Sequence, residues 1–187
     1  MNEHQRNDAD QSTILRLGQF VPDQPLAGPD QSASPETVTA FVVRQAAPEV
    51  CQQSAQPVVA PKDGNALSPQ SLLGVVSYCY AKDVCSSAEI ERKLVKDPAI
   101  RAACGSDLPD RRILRRFRRL NRAAIRAMLE KIFRFRRRKE KAAWMAAAGA
   151  SSNPACEPGE STIMFARQEA EARIEKAVFV DDMEKDD

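Results

Sequence analysis

The chain has 187 residues, with 28 Lys or Arg against 26 Asp or Glu, which is the length of one ordinary domain. No run approaches the roughly eighteen apolar residues of a membrane span. Met1-Asn2-Glu3-His4 lacks a basic segment followed by an apolar core, so the sequence reads as cytoplasmic.

The first 69 residues hold eight of the twelve prolines, interleaved with Ser, Gln, Asp and Ala. Such a composition buries too little apolar surface to offset the entropy of ordering, and residues 1–66 are expected to be a disordered extension. A compact helical domain is expected over 67–149. It opens with Ser68 as cap and Pro69 at the first helical position, followed by Leu72, Val75, Val76 and Cys79 on one face. Ser86-Ser87-Ala88-Glu89 fits a capping box, and Ile90 with Leu94 gives the next helix a narrow apolar stripe. Asp97-Pro98 restarts the chain as cap and first residue of a third, short helix with Ile100, Ala103 and Cys104 inside and Gly105 at its end.

After the turn Ser106 to Asp110, a fourth helix carries Ile113, Leu114, Phe117 and Leu120 on one side and Arg111, Arg115, Arg118 and Arg122 on another. From Asn121 onward Ile125, Met128, Leu129, Ile132 and Phe133 keep helical spacing to at least Phe135, extendable through Trp144. Residues 150–160 read as a linker. Residues 161–187 read as a short, weakly amphipathic helix with Ile163, Ala166, Ala170, Ile174 and Val178 inside, followed by an acidic tail. The fold class is all-α: a small helix-turn-helix-like domain with a long basic C-terminal helix.

Charge is polarised along the chain. From Arg111 to Lys141 there are fifteen Arg or Lys and two Glu, and the remainder is net acidic. Between Arg111 and Arg126 eight arginines stand without one acidic residue, so like charges at i, i+3 and i+4 repel one another. A polyanion relieves that repulsion, and arginine suits bidentate contacts to phosphate and to guanine edges. The expected DNA-contacting set is Arg111, Arg112, Arg115, Arg116, Arg118, Arg119, Arg122 and Arg126. Arg111, Arg112, Arg115 and Arg118 are placed nearest the bases, and Arg116, Arg119 and Arg122 on phosphates. Arg134 and Arg136 to Lys139 form a second cluster for non-specific phosphate contact.

Five scattered cysteines, Cys51, Cys79, Cys85, Cys104 and Cys156, never spaced as C-x-x-C, and a single histidine, His4, give no zinc-ligand pattern. Cys79 and Cys104, on apolar helical faces, read as buried reduced thiols. There are no paired carboxylates, Cys/His pair or glycine-rich phosphate loop, so neither enzyme activity nor a cofactor, metal or small-molecule substrate is expected.

Several ordered pieces between Ser68 and about Phe133 resemble the N-terminal domain of InsH-type insertion-sequence transposases of the DDE class. They are Pro69-Gln70-Ser71-Leu72-Leu73, Tyr78-Cys79-Tyr80-Ala81, Ser86-Ser87 with Ile90-Glu91-Arg92, Asp97 to Arg101, Leu108-Pro109-Asp110-Arg111 and Phe117-Arg118-Arg119. The resemblance implies a bacterial, nucleoid-associated helical module that binds double-stranded DNA at element ends. A complete transposase continues into an RNase H-like domain with two aspartates and a glutamate for two-metal phosphoryl transfer. No Asp-Gly-Thr follows here, and Asp181-Asp182 after Ala177-Val178-Phe179-Val180 reads as a solvated acidic tail. Two other readings remain open. One is a protein-interaction module that pairs with a transposase subunit or with its own copy, or whose acidic tail folds back over the basic helix. The other is RNA binding.

Overall fold

The computed structural model describes residues 34–54, 57–59, 67–98, 100, 108–149 and 159–183. Six helices are resolved among them, and no strand: α1 (Pro35–Gln53), α2 (Pro69–Ala81), α3 (Ser87–Lys96), α4 (Arg111–Leu120), α5 (Arg122–Ala147) and α6 (Glu160–Met183). None is long and apolar enough to cross a membrane.

The expected disorder over 1–66 does not extend to α1. Ser34 accepts the Thr37 N–H at 3.2 Å and Pro35 sits in the first turn, where its missing N–H costs nothing. Val38, Val42, Val43, Ala46, Ala47 and Val50 then recur at helical spacing and are all buried. The small apolar side chains let α1 lie close against α2 and α5. At the α1–α2 contact a Cβ on Gly74 would come within 3.1 Å of the Val43 Cγ1, so glycine permits the close approach.

Helix α2 is the centre of the domain. Its expected single apolar face is instead burial all round, Leu72 to Ala81 without interruption, because α1, α4 and α5 surround it. Its cap forms as the sequence predicts, Ser68 accepting from the Ser71 N–H at 3.1 Å. It ends in a Schellman motif: the Val84 N–H reaches the Cys79 carbonyl and the Asp83 N–H the Tyr80 carbonyl, both at 2.9 Å. Asp83 occupies the left-handed position at φ 65°, which aspartate tolerates better than most side chains.

Helix α3 starts on Ser86, which accepts from Glu89 N, and buries Ile90 and Leu94 as expected. Asp97 caps toward Ile100 N at 3.4 Å. The rest of the expected third helix, with Ala103, Cys104 and Gly105, lies outside the described residues, as do 1–33, the linker over 150–158 and the last four residues.

The long helix α5 buries Ala124, Ile125, Met128, Leu129, Ile132 and Phe133. Instead of a short helix, α6 runs 24 residues and takes Asp181 and Asp182, where the acidic tail was expected to begin, into its last turn. Ala166, Ala170, Ile174 and Ala177 form a narrow, mostly alanine stripe against α5. One core results, shared by all the helices.

Candidate nucleic-acid interface

Helix α4 is fixed at its N-terminus by Asp110, whose Oδ1 accepts the Ile113 N–H at 2.8 Å. Advancing about 100° per residue, Leu114, Phe117 and the following Asn121 fall on one side, and all three are buried. Arg112, Arg115, Arg116 and Arg119 fall on the opposite side. Arg112, Arg116 and Arg119 are exposed there and Arg115 is half-buried, while Arg111 and Arg122 are exposed at the ends.

Arg118 breaks the expected row. It stands only about 40° round from Leu114 and is 2% exposed. Its Nη1 donates to the Cys85 carbonyl, and its guanidinium lies 5.8 Å from the centre of the Tyr80 ring. Its expected place nearest the bases is therefore corrected: Arg118 ties α4 to the turn after α2. Burial pushes the Tyr80 phenol well above its ordinary pKa, although the neighbouring Arg118 opposes the shift, so a neutral ring faces the cation. Leu120, expected inside, is 54% exposed at the edge of the arginine face.

Much of the remaining positive charge has an intramolecular partner. Arg126 meets Glu171 of α6 at 2.7 Å, Lys131 meets Glu49 of α1 at 2.6 Å, and Arg134 meets Glu130 at 2.9 Å. Arg136 donates to the Ala81 carbonyl at 3.3 Å, at the negative end of α2. Arg173 and Lys176 of α6 close on Asp83, holding its carboxyl below the usual carboxylate range. The Lys176 hydrogen bond is the largest cause and outweighs the opposing effect of desolvation. By contrast Arg111, Arg112, Arg119 and Arg122 form no ion pair among the described residues. Arg115 and Arg116, beside them, also interact within the chain. The surface with charge left for an external anion is thus the outer face of α4, and the Arg126 side of the expected set is neutralised by α6.

The joint between α4 and α5 is Asn121, which sequence reasoning left as an ordinary helix start. Its Nδ2 donates to the Phe117 carbonyl at 2.9 Å and to the Val59 carbonyl at 3.0 Å, and its Oδ1 accepts the Val59 N–H at 3.0 Å. One amide completes the α4 end and straps the 57–59 segment across it. An asparagine at the break between two apolar helical patterns was the available signal.

Residues 43–120 match the family described as transposase domain (DUF772). The match covers the transposase resemblance read between Ser68 and Phe133 as far as Leu120, and it begins earlier, within α1. No match is found among curated proteins or among solved structures. The matched stretch takes in the second half of α1, the central helix α2, α3 and α4. Within it Cys79 and Cys85 are buried and in no disulfide, and burial, then the Asp83 charge, raises the Cys85 pKa. The Cys85 thiol stays protonated, and both side chains pack as apolar groups.

Proposed function

We propose that this transposase-related chain binds double-stranded DNA at the ends of an insertion element through the outer face of α4, and supplies binding rather than strand transfer. Arg111, Arg112, Arg115, Arg116, Arg119 and Arg122 are the contacting set. The observation that carries the reading is the sorting of arginines in one short helix. Arg118 is turned into the core, which fixes the helix rotation, while Arg111, Arg112, Arg116 and Arg119 are exposed and Arg115 is half-buried beside them. Fixed rotation matters because a guanidinium reads a guanine edge only from a defined direction. Among carboxylates, Glu49, Asp83, Glu130 and Glu171 are engaged by Lys or Arg, which supports a scaffolding role for them.

The test is fluorescence anisotropy of the chain on labelled duplex DNA over a range of salt, with element-end, scrambled and structured RNA competitors. Six neutralised phosphates give a slope of log K against log[salt] near about −5. R112A/R119A should make the slope shallower by about 2 while leaving stability within about 0.5 kcal/mol. Unchanged affinity and slope in that variant, or equal competition by RNA, would overturn the reading.

A further inference from the structure

Beyond Phe135, α5 leaves the core and runs on as an exposed arm to Ala147. The only tryptophan of the chain, Trp144, stands on that arm and is 71% exposed. Opposite it are the first turns of α6, across an open cleft of about 420 Å³ lined on α5 by Arg137, Glu140, Lys141 and Trp144 and on α6 by Ser161, Thr162 and Phe165. The Arg137 guanidinium lies 4.1 Å from the centre of the Phe165 ring and 3.5 Å from Glu140. So large an apolar ring kept in water recovers none of its burial energy within this chain.

A flat ring, a second aromatic wall and two cations that outnumber the one carboxylate, Glu140, around a space of small-ligand size are components that can hold an unpaired nucleotide: the base stacks and the phosphate meets the net positive charge. We propose that this cleft binds a single-stranded segment of nucleic acid, with one base stacked on Trp144 and its phosphate held by Arg137 and Lys141. The proposal takes its partner class from the reading above, but its surface is separate. Arg122 and Trp144 are about 33 Å apart along α5, close to one turn of duplex. That separation leaves room for a duplex on α4 and an unpaired segment in the cleft to be held at the same time.

Because the chain has one tryptophan, its emission reports this cleft alone. The experiment is titration of the full chain with a deoxythymidine oligomer of about eight nucleotides at low salt, together with anisotropy of the same labelled oligomer. The expected result is quenching of Trp144, retained in R112A/R119A, which loses duplex affinity. W144L should bind the oligomer about 5- to 150-fold more weakly, and K141A should also weaken it, both with unaltered thermal melting. Failure of the duplex reading would show in the duplex titrations, through R112A/R119A or RNA competition, and not in Trp144 emission, so the two can be told apart. No quenching, equal quenching by inorganic polyphosphate, or a blue shift with protein concentration in the absence of nucleic acid would each overturn the proposal. The last would make the arm a contact between copies.

Discussion

Replacing Arg118 with alanine separates two roles that adjacent arginines of one helix would otherwise be credited with together. The substitution removes a charged hydrogen bond to the Cys85 carbonyl, a loss of about 1.5–3 kcal/mol. It also removes a desolvated cation from the Tyr80 ring, about 0.5–2 kcal/mol more. A combined cost near 3 kcal/mol corresponds to a melting temperature about 6–12 °C lower for a chain of this size. R119A, on the exposed face, should melt within about 2 °C of the parent and lose duplex affinity. Thermal melting by circular dichroism and anisotropy at a temperature where both variants are folded decide the matter: R118A melts early but binds within about twofold of the parent, as expected of a side chain that meets no phosphate. If R118A melted like the parent and lost DNA affinity as R119A does, the inward assignment and the helix rotation derived from it would be refuted.

Asn121→Asp places a carboxylate oxygen against the Val59 and Phe117 carbonyls in place of a donor. It should destabilise on the order of 3 kcal/mol, read as a lowered midpoint in urea. Gly74→Leu drives a branched side chain into Val43 and should cost about 1–3 kcal/mol in the same assay. Asp83 has a depressed pKa in the folded chain, so its contribution is fully present above its unfolded value near about 4 and is lost as pH falls through the lower folded value. The parent should therefore melt above D83N at neutral pH, and the gap should narrow below about pH 4. A gap that persisted unchanged into acid would show that the carboxylate charge is not what holds α6 to the turn after α2.

The helices with strong caps and large apolar residues were legible in the sequence. Ser68, Ser86 and Asp97 accept the N–H groups their spacing predicts, and Ile90, Leu94, Met128, Leu129 and Ile132 are all inside. Helix α1 was hidden because its inward face is built from valine and alanine and its flanks from proline and glutamine. Those prolines read as breakers, although Pro35 sits where a helix accepts one. Arg118 and Leu120 exchange their expected places for a different reason. Composition puts leucine inside and arginine outside, but the partners that hold Arg118 inward are a carbonyl 33 residues away and a tyrosine ring on α2. Periodicity within one helix carries no information about either. The outer arginines needed no partner to be found, so their exposure followed from the local pattern alone.

The family match ends at 120, but the core does not. The stretch that keeps the chain folded includes the recognisable signature and runs on beyond it. A fragment cut after Leu120 keeps every arginine proposed to face DNA except Arg122, yet it strips α1 and α2 of the helix that covers them. It should bind hydrophobic dyes and aggregate, whereas 34–183 should melt cooperatively. Constraint on this protein therefore extends past its signature into alanines that touch no ligand. A bulky side chain at Ala166 or Ala170, where α6 lies against α5, would be seen in a genetic screen as a failure to bind DNA.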